Sequence, residues 1–233
     1  MSFVTFILHK PQLSENVGAC ARAIKNFNFN KLAVINPKPA FPNDKIIATS
    51  VGAKEIIKNC IVYENLESAI KNIDYLIATS SRFRNKNIKH ISLNELSKID
   101  FSNKIAFLFG SESSGLSNKE IVYANCTMQI PTNPNFKSLN LSHSVIIVAQ
   151  VVSSLIKLKR SSYKKSQKVK SASKKDIQSM INLCISQLEN KNFFKPSEKK
   201  PIMLENLRNI FYKMDLSEKE TRILSSVFAN LSK

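Results

Sequence analysis

The sequence predicts an α/β domain built on a mainly parallel sheet, followed by a small all-helical unit. Three observations carry this expectation. Short apolar runs alternate with helix-like stretches over the first 156 residues, the rhythm of β-α-β units. Two of those runs open directly into loops at Gly110 and Pro131 that are rich in Ser, Asn, Gly and Pro. Such loops sit where ligands bind, beyond the C-terminal ends of parallel strands. Beyond residue 175 the apolar spacing is helical only.

Taken in order, strand-like runs occupy residues 3–8, 31–35, 61–63, 75–79, 105–109 and 128–130. Between the first two, Ser14 reads as a helix N-cap, with Val17, Cys20, Ala21 and Ile24 on one face. Asn65 reads as the cap of a helix running to Lys71. Further helices fit residues 93–99 and the segment after Ser117. Within residues 139–158 the run 145–152 is β-branched like a buried strand, but the length of the segment and its interspersed Ser, His and Gln favour a long helix. Ser173 then caps a helix with Ile177, Ile181, Cys184, Ile185 and Leu188 on its apolar face. A second helix follows Pro201, and a third starts at Ser217, where Glu220 completes a capping box. These helices have too few residues for a large core of their own, so they are expected to dock on the main domain or on a partner subunit. The expected organisation is a domain over 1–158, a basic linker over 159–175 and a helical extension over 176–233.

Composition narrows the function classes. The chain has 233 residues, 43% hydrophobic, with no Trp. Its longest apolar stretch, residues 145–152, includes Gln150 and is too short to span a bilayer, and no signal peptide precedes the first strand-like run. A cytoplasmic protein without membrane contact is expected. Cys20, Cys60, Cys126 and Cys184 form no CxxC pair, and His9, His90 and His143 are equally scattered, so no metal site is expected.

The net charge of +18 points to a polyanion such as RNA. Of the 35 basic residues, 29 are Lys, a bias that an A+T-rich coding sequence also produces. Distribution says more than the total. Residues 157–175 hold nine cations and no acid, so half the net charge lies in one Ser-rich stretch. That stretch reads as a flexible tether able to lie along phosphates or simply to remain solvated; Lys159 and Arg160 are its candidate RNA contacts. Arg82 and Arg84 in a second basic loop are candidates of the same kind.

Only four glycines occur, and Gly110 and Gly115 share one loop. The spacing lacks the Lys-Ser/Thr that a phosphate loop needs, and no GxGxxG exists, so neither nucleotide-binding pattern applies. Gly18, Ala19 and Ala21 in a helix would admit a second backbone or a ligand at close range. Arg22 is the only Arg before Arg82 in a chain that prefers Lys. Its planar fork suits phosphate or carboxylate in a way that Lys does not.

Three segments together carry a resemblance. Asn16-Val-Gly-Ala-Cys-Ala-Arg22, Leu108-Phe-Gly-Ser-Glu-Ser-Ser-Gly-Leu116 and Ile130-Pro-Thr-Asn-Pro-Asn-Phe-Lys-Ser-Leu-Asn-Leu-Ser142 resemble, in order and spacing, the motifs of the SpoU/TrmH-type RNA 2′-O-ribose methyltransferases of the SPOUT superfamily. The tail from Leu207 to Leu224 and the short N-terminus resemble the branch that methylates tRNA at position 32, the first nucleotide of the anticodon loop. The resemblance implies an α/β fold closed by a deep C-terminal trefoil knot, an exception to the rule against threading. It implies S-adenosyl-L-methionine held by Thr79, Ser80, Ser81, Gly110, Ile130, Lys137, Ser138 and Leu139. It implies a homodimer in which Arg22 of one protomer faces the donor of the other, with Asn16, Glu112 and Asn140 as the remaining polar groups of the catalytic centre. The substrate would be tRNA, since only RNA offers the 2′-hydroxyl. An rRNA methyltransferase of the same family and a catalytically silent RNA-binding protein are the rivals. Ser111, Ser113 and Ser114 depart from the charged or bulky residues that relatives often carry, a departure that bears on target selection.

Overall fold

A computed structural model describes residues 3–80, 88–162 and 170–230. The main body is a single sheet of seven parallel strands: β1 (Val4–His9), β2 (Leu32–Ile35), β3 (Ile61–Tyr63), β4 (Tyr75–Thr79), β5 (Lys89–Ser92), β6 (Ile105–Phe109) and β7 (Cys126–Gln129). Their spatial order is β3-β2-β1-β6-β4-β7-β5. The last strand therefore enters between β4 and β5, both of which precede it in the chain. The register sets Ile77 against Cys126 on one side of β7 and Ile91 against Met128 on the other.

Strand alternation divides the core into two layers. Phe6, Leu8, Phe107 and Phe109 face one side, and Ile7, Ala106 and Leu108 face the other. The first layer holds α1 (Ser14–Asn26), α2 (Asp44–Thr49), α3 (Lys54–Lys58) and α6 (Leu141–Ser162). The rings of Phe6 and Phe107 stack there at 6.0 Å. The second layer holds α4 (Leu66–Ile70) and α5 (Asn118–Ile121). As expected, Asn65 caps α4 through Ser68 N, and Ser117 with Glu120 forms a capping box on α5.

Several details differ from the sequence reading. Ser14 is the first residue of α1 and not its cap; Leu13 holds the cap position without a side-chain bond, and Ser14 Oγ accepts from Asn43 Nδ2 at 2.8 Å. β5 was not expected, because Lys-His-Ile-Ser carries one apolar residue and forms the sheet edge. Residues 93–98 form a 3₁₀ turn, not an α-helix. Taken as a helix, Leu141–Leu158 is long and apolar enough to cross a bilayer, contrary to what the shorter run 145–152 implied. One face of it is committed to the core: Val145, Val148, Ala149 and Val152 are fully buried.

The long α6 absorbs Lys157 to Ser162, so the basic stretch begins inside a helix. It ends inside another, α7 (Lys174–Asn190), which is followed by α8 (Lys200–Lys213) and α9 (Glu218–Asn230). Ala172, Ile177, Met180, Ile181, Tyr212 and Leu216 make a small third core.

These helices dock on the N-terminal rim of the sheet. Lys174 N donates to Ile73 O at 2.8 Å, just ahead of β4. Asn125, only 2% exposed, works in both directions. Its Oδ1 accepts from Leu76 N at 2.8 Å, while its amide donates to Tyr212 O at 3.1 Å and to Asp215 Oδ1 at 2.7 Å. The Lys174 side chain is buried beside this joint, its Nζ 4.7 Å from the Tyr212 ring centroid and without a hydrogen-bond partner. Burial pulls its pKa down to about 7, against the opposing pull of Asp215, Cys126 and Asp74. Lys174 is thus a joint residue, withdrawn from the solvent-accessible charge of the basic stretch.

Candidate functional site

At the opposite, C-terminal end of the strands, the loops after β4, β6 and β7 surround a cavity of about 440 Å³. That is the volume range of small-molecule sites. Thr79, Ser80, Gly110, Ile130, Lys137, Ser138 and Leu139 all line it, as the sequence suggested. Phe109, Leu116, Pro134, Asn135, Leu141 and Ser144 also line it and were not singled out; they belong to the end of β6, to the same loops or to the start of α6, and nothing in their residue types sets them apart. Ser81, Arg82 and Arg84 lie outside the described residues. Lys159 and Arg160 lie in the last turns of α6, with side chains outside the description.

Each loop is anchored by the strand below it. Thr79 Oγ1 donates to Leu108 O at 3.0 Å, and Ser80 N donates to Met128 O at 2.9 Å, tying the β4 loop to both neighbouring strands. The loop after β6 folds back on itself. Gly115 N donates to Ser111 O at 2.9 Å, and Gly115 takes a φ of +67°, which favours glycine. A Cβ on Gly110 would overlap the backbone of Gly115 and Leu116. Gly110 is therefore required by loop closure and not by the approach of a ligand.

Glu112 joins this loop to α1. Its carboxylate accepts from Gln12 N at 2.9 Å, from Leu13 N at 3.3 Å and from Asn16 Nδ2 at 2.7 Å. These bonds serve the helix end that no local side chain caps, with the negative charge at the positive end of the helix dipole. The chain of bonds continues: Asn16 Oδ1 accepts from Asn140 Nδ2 at 2.9 Å, and Asn140 Oδ1 accepts from Ser142 N at 2.8 Å at the start of α6. Asn16, Glu112 and Asn140 are thus brought together, although only Glu112 lines the cavity.

Arg22 is not brought to the cavity within one chain. It is exposed on α1, six residues beyond Asn16 and about 9 Å further along the axis. The small residues before it face protein: a Cβ on Gly18 would overlap Thr49 Oγ1 and the Ile46 carbonyl of α2. The close neighbour is a second backbone.

Among the described lining residues Glu112 is the one acid and Lys137 the one base. Ile130, Leu116 and Leu139 supply the apolar part of the cavity wall. The four cysteines are free, and burial raises all four thiol pKa values, with Cys60 and Cys126 at about 12, which keeps them protonated and unreactive. No group of three His, Cys, Asp or Glu side chains gathers among the described residues.

Comparison with known proteins bears on this site. A profile described as the SpoU rRNA Methylase family matches residues 4–150. A protein of Methanocaldococcus jannaschii, described as tRNA (cytidine-2′-O-)-methyltransferase TrmJ, is 30% identical over 231 residues, covering 97% of this chain and 98% of that one. A Pseudomonas aeruginosa protein, described as tRNA (cytidine/uridine/adenosine-2′-O-)-methyltransferase TrmJ, is 26% identical over 231 residues, covering 94% and 89%. The crystal structure of TrmJ from Z. mobilis ZM4 superposes with a TM-score of 0.86 at 27% identity, over 98% of this chain and 99% of that one.

Proposed function

Because the chain belongs to the SpoU rRNA Methylase family, we propose that it methylates a ribose 2′-oxygen of tRNA with S-adenosylmethionine as donor, at the pyrimidine of anticodon-loop position 32. The observation that carries this is the bond chain Glu112–Asn16–Asn140. It ties three segments, separated by up to 124 residues in sequence, into one arrangement that meets the cavity at Glu112. The near full-length relatives named for tRNA 2′-O-methylation support the substrate class.

The cavity fits the donor. Ile130, Leu116 and Leu139 offer apolar surface to an adenine, and Glu112 and Lys137 offer one charge of each sign to the sulfonium and carboxylate. Thr79, Ser80, Gly110 and Ser138 complete the loops that would hold it. When bound, the donor supplies an electrophilic methyl group on its sulfonium. The protein's own task is alignment of the 2′-oxygen and disposal of its proton. Glu112 is ill placed to accept that proton, because its oxygens already serve three donors. Arg22 cannot accept it either, because a guanidinium stays protonated. Arg22 instead anchors a substrate phosphate and polarises the nucleophile, and the proton leaves to phosphate or water.

Arg22 lies off its own cavity, so this role requires a homodimer in which it reaches the partner's site. Exposed Leu13 and Ile146, on the two helices next to the Asn16–Asn140 bond, offer apolar surface for such a contact. The entry of β7 between β4 and β5 supports a trefoil knot in this part of the chain. The division into a domain over 1–158, a basic linker and a helical extension, and a cytoplasmic location, complete the proposal.

The test is incubation of purified protein with total RNA and labelled S-adenosylmethionine, followed by mapping of the modified nucleotide. A 2′-O-methylpyrimidine at tRNA position 32 is expected. Label confined to rRNA would favour the second reading, which the family's own description supports. Arg22→Ala should nearly abolish methylation and leave donor affinity within a few-fold; turnover equal to the parent would remove Arg22 from the mechanism.

A further inference from the structure

Phe136 is 75% exposed, the most exposed large apolar side chain among the described residues. Single exposed apolar residues are ordinary, so its setting decides whether the exposure has meaning. The loop that carries it is held in shape. Phe136 N donates to Asn133 O at 2.9 Å, Asn135 N donates to Asn133 Oδ1 at 2.9 Å, and Asn133 and Phe136 form an antiparallel bridge. On either side of the ring Pro134, Asn135 and Lys137 line the cavity, whereas Phe136 is not part of its wall. The ring is thus exposed to solvent on a loop whose neighbouring residues form the cavity wall.

The proposed reaction makes a demand at this rim. A cavity of about 440 Å³ accommodates one small ligand. A nucleotide whose 2′-oxygen reaches the donor must therefore keep its base outside. Unpaired RNA bases are held chiefly by stacking on aromatic faces, with cations on the adjoining phosphates. We propose that Phe136 is a stacking platform for an RNA base at or next to the methylated nucleotide. The inference rests on the proposed function and adds a substrate-binding residue to it.

The test uses full-length Phe136→Ala, Phe136→Leu and Phe136→Trp proteins. Methylation kinetics are measured with tRNA, donor binding by calorimetry with S-adenosylmethionine, and oligomeric state by sedimentation. The Ala and Leu variants should raise the KM for tRNA about tenfold or more, with kcat within a few-fold, while Trp stays close to the parent. Donor affinity and oligomeric state should not move. A Leu variant equal to the parent would overturn the proposal, because shape and apolarity alone would then suffice. Lost donor binding would reassign the ring to the cavity, and an altered oligomeric state would reassign it to a contact with a second copy. If the parent protein binds donor and methylates no RNA, the proposed function fails and the platform falls with it. If the parent methylates tRNA and the Ala variant keeps its KM, only the platform fails.

Discussion

Asn16 donates its side-chain amide to Glu112 at 2.7 Å across 96 positions of sequence, fastening the first turn of α1 to the loop after β6. The same carboxylate takes two backbone N–H groups, so its charge acts as a remote helix cap. Glu112→Gln keeps the length of the side chain and replaces one accepting oxygen with a donor. At least one of the three N–H groups then loses its partner, at a cost of about 1–3 kcal/mol. Calorimetry should record a melting temperature lower by several degrees, together with weaker donor binding. An unchanged melting point would show that this carboxylate is not what secures α1.

Gly18 lies where α1 and α2 touch, with no room for a methyl group against Thr49 and the Ile46 carbonyl. Intrinsic helix propensity favours Ala by about 1 kcal/mol. Overpacking opposes it by about 1–3 kcal/mol, and here the obstacle includes backbone that cannot yield. Gly18→Ala should therefore destabilise the fold in chemical denaturation despite its better propensity. A more stable variant would contradict the close contact.

Asn125→Ala strips Leu76 N, Tyr212 O and Asp215 of their shared partner at a buried joint. Limited proteolysis should then cut between the main body and α7–α9 faster than in the parent, while donor binding at the far end of the sheet stays close to normal. Equal loss of both would mean that the joint and the cavity unfold as one unit.

Stability of that joint should rise with pH between about 7 and 8.5. Lys174 releases its proton near 7 when folded and near its ordinary value when unfolded, so over this interval the unfolded chain binds more protons. Each pH unit is worth up to about 1.4 kcal/mol for one such proton. Asp74 and Asp215 are raised by burial, which acts in the opposite sense, since a folded chain that holds their protons longer loses stability as pH rises through their titration. Cys126, raised to about 12, and Tyr75, also raised by burial, oppose the trend once unfolded thiols ionise near pH 9. Lys89 adds a neighbouring positive charge throughout. Lys174→Met should flatten the slope of denaturation midpoint against pH. A Met variant with the parent's slope would assign the dependence to another group.

Lys164, Lys165 and Lys168 lie in the basic stretch between α6 and α7. Replacing all three with Gln should lower the slope of log binding constant against log salt for tRNA by about 2, at roughly 0.7–0.9 for each phosphate no longer neutralised. No change in slope would mean that these cations are solvated in the complex.

Much of the architecture was legible in the chain because apolar runs bounded by turn residues mark buried strands, as in Ile105 to Phe109. β5 was not legible, since an edge strand needs little apolar surface and Lys-His-Ile-Ser shows almost none. The loops around the cavity could be read from the motifs, and residues such as Thr79, Gly110, Ile130 and Lys137 line it. What a sequence hides is whom a polar residue bonds. Ser14 has the chemistry of a cap, yet the capping is done by Glu112, a partner that only tertiary contact reveals. Arg22 is distinctive in the sequence, and its distance from the cavity became visible only once the helix was placed.

The late arrival of β7 between two older strands constrains synthesis of the protein on the ribosome. β5 pairs with β7 alone, and one flank of β4 waits for it as well. Until residue 129 emerges, the nascent chain presents unsatisfied backbone on both sides of a vacant slot, open to pairing with the wrong partner.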